Sequence, residues 1–146
     1  MNFEHKEDEV FFQHLFKEYG GLVKNHDLFD SSDPLLKRQA FNKIRNKVFR
    51  KLRDKFGDIC MLNYHPNCAN SADQVDHLIP LSSNILNKTI RALKAEKGKK
   101  VTAQSLGSNN YRNLLLSCSR CNAAKKHHIP DNKLLNKVMR LFLNLD

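Results

Sequence analysis

Residues 113–125 read Asn113-Leu114-Leu115-Leu116-Ser117-Cys118-Ser119-Arg120-Cys121-Asn122-Ala123-Ala124-Lys125. The short apolar run between two polar residues predicts a buried strand that delivers the chain into a C-x-x-C turn, with a short helix from Cys121 to about His127. C-x-x-C is the spacing a zinc knuckle needs to present two sulfurs to one ion, and four thiolates complete a tetrahedral zinc site. The chain has four cysteines in all, the other two being Cys60 and Cys68. Seven residues separate that second pair, and Pro66 with Asn63, Asn67 and Asn70 supplies turn chemistry for the longer loop. Cys60, Cys68, Cys118 and Cys121 are therefore the expected structural zinc ligands. His65 is an alternative ligand from the same loop, and a disulfide framework is the rival use of four cysteines.

Export would favour the disulfide reading, but Glu4, Glu7, Asp8 and Glu9 interrupt the start of the chain where a signal peptide carries a basic patch and an apolar core. No segment approaches the roughly 18 uninterrupted apolar residues of a membrane span. A cytoplasmic setting follows as the expectation, and in a reducing cytosol paired cysteines serve as metal ligands.

A chain of 146 residues with a formal net charge of +10 is long enough for one core and strongly basic. The charge is uneven. Residues 1–33 hold 3 basic and 8 acidic side chains, a net of −5, which leaves +15 for residues 34–146. A basic body of this kind suits a polyanion, of which nucleic acid is the commonest. Much of the charge falls in one segment. Asp30-Ser31-Ser32-Asp33-Pro34 is a capping cluster with proline at a first helical position, and Gly57 closes the helix it opens, from about Leu35 to Phe56. Leu36, Ala40, Ile44, Val48 and Leu52 recur at four-residue intervals as the expected buried stripe. Lys37, Arg38, Lys43, Arg45, Lys47, Arg50, Lys51, Arg53 and Lys55 are opposed by Asp54 alone, and this cationic face is the expected phosphate-backbone contact, with Lys43, Lys47, Arg50 and Lys51 at its centre.

The remaining elements are shorter. Residues 3–19 place Phe3, Val10, Phe11, Leu15 and Phe16 at near-helical spacing, and Gly20-Gly21 stops them. Val75-Asp76-His77-Leu78-Ile79 predicts a strand end that Pro80 terminates. Residues 84–97 predict a basic helix before a lysine-rich loop. Asp131 or Asn132 caps a last helix whose Leu134, Leu135, Val138, Leu141, Phe142 and Leu145 form an apolar face for packing or for a partner. The chain divides into a helical region 1–57, a core 58–130 with a basic insertion at 84–112, and a terminal helix 131–146.

The series Val75-Asp76-His77-Leu78-Ile79-Pro80, Gly107, then Asn113 to Cys118, Cys121-Asn122 and Lys125 resembles the HNH endonuclease family in its zinc-stabilised form with asparagine at the third signature position. The resemblance covers about residues 58–127. It implies an α+β fold: a ββα-metal catalytic core stapled by a four-cysteine zinc, flanked by N-terminal helices and a C-terminal helix. It implies hydrolysis of DNA to 5′-phosphate and 3′-hydroxyl ends. His77 is then the general base, Asp76 and Asn122 the ligands of a catalytic Mg²⁺ or Mn²⁺, and Asn113 the residue that holds the histidine loop in place. Imidazole chemistry agrees, since an unperturbed pKa of about 6.5 leaves the ring neutral at cellular pH and able to take a proton from water. Lys125, with Arg112, Arg120 and Lys126, is a candidate for phosphate oxygens. Arg91 and the residues Asn84, Asn87, Gln104, Asn109 and Asn110 of the insertion are candidate base readers.

The expected partner is double-stranded DNA. A restriction enzyme or a phage or mobile-element nuclease, working in a bacterial or phage-infected cell, fits such a chain, and a homodimer would match a palindromic target. Two other classes share these features: a non-catalytic zinc module that binds nucleic acid, and an adaptor acting through its C-terminal helix.

Overall fold

Asp33 begins the longest element. Its carboxylate accepts from the backbone N–H groups of Leu35 and Leu36, and Pro34 occupies the first helical turn, where a missing N–H costs nothing. Helix α1 then runs Pro34–Phe56 and ends at Gly57, whose N–H closes a last bond to the Arg53 carbonyl and whose positive φ of 84° turns the chain out of the helix. In the computed structural model the described residues are 10, 17, 26–83, 104–125 and 132–143. The helix expected over 3–19 and the helix and loop expected over 84–100 lie outside them, apart from residues 10 and 17.

The strands are β1 (Gln74–His77), β2 (Ser82–Ser83), β3 (Gln104–Ser105) and β4 (Leu114–Ser117). β1 pairs antiparallel with β4, with Val75 opposite Leu116 and His77 opposite Leu114, and β2 pairs antiparallel with β3. Two further helices follow, α2 (Ser119–Lys125) and α3 (Asn132–Leu143). The protein is thus α+β. α2 starts two residues before Cys121 rather than at it, so the C-x-x-C straddles the first turn of the helix.

β4 is buried along its whole length, with Leu114, Leu115 and Leu116 excluded from solvent. α1 packs on β1 and β4, and the segment 60–62 runs beside β4, the Met61 N–H donating to the Leu116 carbonyl and the Leu116 N–H donating to Met61 Sδ. Val138 of α3 enters the same core and Leu134 and Leu141 pack against it, so this apolar face is used within the chain. Lys137 fixes the docking by donating to the carbonyls of Leu62 and Asn63.

The buried side of α1 differs from the expected stripe. Lys37, Phe41 and Leu52 are buried and Val48, Phe49 and Phe56 pack at the margin, while Leu36 is 63% exposed and Ile44 is exposed with it. Four-residue steps gain about 40° each on a helix of 3.6 residues per turn, so a row from Leu36 to Leu52 winds nearly half-way round. Only its last members face the core. Lys37, expected on the cationic face, instead donates to the carbonyls of Asp30, Leu81 and Gly107 and ties the start of α1 to the base of the β2–β3 pair. Burial pushes its amine down to about 8, with Asp30 and Asp33 opposing.

Candidate metal and catalytic centre

The four cysteines converge. The sulfurs of Cys60, Cys68, Cys118 and Cys121 all lie within 4.8 Å of one another, drawn from the loop before β1 and the turn between β4 and α2. Cys118 Sγ is 3.9 Å from Cys68 Sγ, close to the roughly 3.8 Å edge of a tetrahedron with 2.3 Å zinc–sulfur bonds and far from a disulfide of about 2.05 Å. The disulfide framework is thereby set aside: all four thiols are free. Backbone N–H groups aim at the sulfurs, from Asn63 and Cys118 to Cys60, from Asn70 to Cys68 and from Cys121 to Cys118. Asn63 and Asn70 adopt positive φ, 41° and 60°, a conformation that asparagine tolerates and that points those amides inward. Donors aimed at sulfur stabilise thiolate, which is the form a metal takes. This cluster can hold an ion such as zinc. His65 is used otherwise, its Nδ1 accepting from the Asn67 N–H.

A second constellation forms where β1 ends. Asn113, fully buried, accepts from Ile79 N–H at 2.8 Å through Oδ1 and donates through Nδ2 to the carbonyls of Ile79 and Ser108 at 3.0 and 2.8 Å. Its own carbonyl accepts from Leu78 N–H. The turn after His77 is therefore held at both Leu78 and Ile79, the positional role expected of Asn113. Gly107 presses onto the same turn: a Cβ there would sit 2.0 Å from the Ile79 carbonyl oxygen, so only glycine fits.

Asp76 and Asn122 come together. One end of the Asn122 carboxamide lies 2.6 Å from Gln74 Oε1 and the other 3.3 Å from both carboxylate oxygens of Asp76. With Nδ2 donating to Gln74, three acceptor oxygens face one another with no proton among them, an arrangement favourable around a hard cation such as Mg²⁺ or Mn²⁺. Without a cation, reversing both the Asn122 and the Gln74 amides satisfies the same contacts. Lys125 donates to the His77 carbonyl at 2.8 Å and pairs with Asp76 Oδ2 at 3.4 Å. Burial pushes the Asp76 carboxyl up, and Lys125, the His77 N–H and Arg38 pull it the other way. Buried in these contacts, Lys125 supports Asp76 and β1, which replaces the phosphate-binding role expected of it.

His77 is 4% exposed, with its ring in a T-shaped contact with Phe41 at a centroid distance of 4.6 Å and its Nε2 2.8 Å from Asn109 Oδ1. Burial pushes its pKa down to about 4; Asn109 raises it, and Arg38, Lys125 and Lys37 lower it further. The ring is neutral at ordinary pH, as a general base must be. Asn109, expected as a base reader, is instead its neighbour.

The cations divide by direction. Arg38 acts on both Asp76 and His77, and Arg45, seven residues on along the same side of α1, lies over the Phe41 ring that touches His77. Lys43, Lys47, Arg50 and Lys51 are exposed but rotated by about 120° or more from Arg38 at 100° per residue, so they face away from this centre. Sequence reasoning missed the distinction because it followed the Leu36 row; the Arg38-Phe41-Arg45 spacing of three and four carries the signal. Arg112 pairs with Asp27 at 2.7 Å, Arg120 donates to the Asn67 carbonyl beside the cysteine loop, and Lys51 lies over the Tyr111 ring. Arg91 and Lys126 lie outside the described residues.

Comparison of the chain with protein-family models, with curated proteins and with solved structures finds no match. Among the described residues no helix is long and apolar enough to cross a membrane.

Proposed function

We propose that the protein is a metal-dependent DNA endonuclease of the HNH type, with a ββα-metal centre built from β1, β4 and α2 and a structural zinc on the four cysteines. The observation that carries this reading is the convergence of Asp76, His77 and Asn122 under a turn that Asn113 fixes through its whole amide. A buried asparagine that holds one turn through Oδ1, Nδ2 and its own carbonyl is a positioning device, and the turn it positions follows the histidine.

Asp76 and Asn122 would hold Mg²⁺ or Mn²⁺ with water and phosphate oxygens completing the shell, and the ion would supply charge stabilisation to the scissile phosphate and the departing 3′-oxygen. His77 takes a proton from the attacking water through its free ring nitrogen. The water oxygen bonds to phosphorus, the bond from phosphorus to the 3′-oxygen breaks, and that oxygen is protonated from solvent, leaving 5′-phosphate and 3′-hydroxyl ends. Arg38 and Arg45 border the site where backbone phosphates of a duplex would lie. The four cysteines join the loop leading to Asp76 with the helix bearing Asn122, so a zinc ion held there would keep Asp76 and Asn122 in place relative to each other. A restriction-type or phage or mobile-element role, acting as a homodimer on a palindrome, suits the single small site.

A zinc-containing nucleic-acid-binding module without catalysis is the second reading, favoured by the Lys125–Asp76 pair, which neutralises the carboxylate without any ion. Nicking of supercoiled plasmid separates the two. Wild type with Mg²⁺ or Mn²⁺ relaxes the plasmid and His77→Ala does not; a plasmid left supercoiled by both proteins supports the binding module.

A further inference from the structure

We infer that Asn109 is the positioning residue that fixes which ring nitrogen of His77 carries the lone pair, an inference that rests on the nuclease reading for its catalytic meaning. The amide of Asn109 has one orientation. Its Nδ2 donates to the main-chain carbonyl of Lys37 at 2.9 Å, and a carbonyl can only accept. Oδ1 is thereby turned toward His77 Nε2 at 2.8 Å, and an amide oxygen also only accepts, so Nε2 carries the hydrogen and Nδ1 the lone pair.

The position of Asn109 is itself fixed from both sides. Gly107 is pressed against the Ile79 and Pro80 carbonyls, leaving no room even for a Cβ, and its N–H donates to Pro80. Ser108 donates its hydroxyl to the Asp27 carbonyl, while its own carbonyl accepts from Asn113. Phe41, which packs against the ring, comes from the same helix whose Lys37 carbonyl holds Asn109. One helix and one loop therefore hold the imidazole, the helix by a T-shaped aromatic contact and the loop by a single hydrogen bond. During hydrolysis the water's proton goes to Nδ1, and Nε2–H keeps its bond to Asn109 throughout, so Asn109 moves no proton.

The test is ¹⁵N-resolved NMR of the His77 ring in the zinc-loaded full chain without DNA, together with cleavage kinetics. Wild type and Asn109→Asp, which retains the acceptor, show Nε2–H at neutral pH, and Asn109→Leu shows a mixture of tautomers. In cleavage, Asn109→Leu lowers kcat by about 10- to 100-fold, the usual cost of losing an orienting partner, with KM for duplex DNA within twofold, and Asn109→Asp recovers part of kcat. An unchanged tautomer in Asn109→Leu, or Nδ1–H in Asn109→Asp, overturns the assignment; so does a loss confined to KM, which is the signature of a base reader. A wild type that cuts no DNA yet shows the Asn109-dependent tautomer refutes the nuclease reading and upholds Asn109 as the clamp of His77.

Discussion

Replacing Asn113 by alanine removes three buried hydrogen bonds at one stroke. The Ile79 N–H loses its Oδ1 acceptor, and the carbonyls of Ile79 and Ser108 lose the Nδ2 donor. A buried donor left without a partner costs about 1–3 kcal/mol, and each carbonyl, with a second lone pair, less than that. The expected loss is on the order of 3–5 kcal/mol, a large share of the roughly 5–15 kcal/mol that stabilises a domain. For a chain of this size that lowers Tm by about 10 °C or more. The local signature is sharper than the global one. In hydrogen exchange the Ile79 amide loses protection, whereas the Leu78 amide, bonded to the Asn113 main-chain carbonyl, keeps more of its own. Cleavage falls because the histidine turn is no longer held, while duplex affinity stays near wild type. An Asn113→Ala protein that melts within 1 °C of wild type (an order-of-magnitude bound on a ΔΔG of a few tenths of a kcal/mol) with Ile79 still protected would refute the reasoning.

Three further outcomes follow from other parts of the molecule. One zinc per chain should survive dialysis into metal-free buffer, with cutting lost and the circular dichroism spectrum intact; stripping the zinc with a thiol-reactive mercurial should then unfold the domain, and stable folding without zinc would contradict the cluster's role. Arg38→Ala with Arg45→Ala should flatten the log–log salt dependence of duplex binding by about 1.8, at 0.9 per phosphate contact, and reduce cleavage more than Lys43→Ala with Lys47→Ala; the reverse ranking would place the DNA on the other side of α1. His77 is held at about 4 in the folded chain against about 6.5 unfolded, so between those values the unfolded state binds the extra proton and stability rises with pH. Urea titrations of wild type and His77→Gln from pH 7 to pH 4 should show wild type losing up to about 3 kcal/mol more than the variant, and parallel curves would contradict the burial of a neutral ring.

Much of this architecture is legible in the chain because it depends on local chemistry. Asp33-Pro34 and Gly57 mark the two ends of α1 through capping alone, and three leucines before Cys118 mark β4. The gathering of the cysteines and the closeness of Asp76 and Asn122 were carried by motif order and spacing. What the sequence hid depends on direction in three dimensions. A lysine inside a cationic run reads as solvated, and nothing local says that three carbonyls from separate segments surround Lys37. Lys125 and Arg112 read as free cations for the same reason, their carboxylate partners Asp76 and Asp27 lying 49 and 85 positions away. Asn109 was visible only as one polar residue among many in the insertion; its role comes from the loop closing onto the Lys37 carbonyl.

The central claim is that Asp76, while paired with Lys125, serves a hydrolytic centre. It is tested most directly with an end-labelled duplex incubated with zinc-loaded wild type and Asp76→Ala, with and without Mn²⁺, with bound and cleaved fractions measured on the same samples. The account predicts that both proteins bind the duplex with similar affinity, that only wild type with Mn²⁺ cuts it, and that the fragments carry 5′-phosphate and 3′-hydroxyl ends. Binding without cleavage by either protein, or cleavage by both, would contradict it.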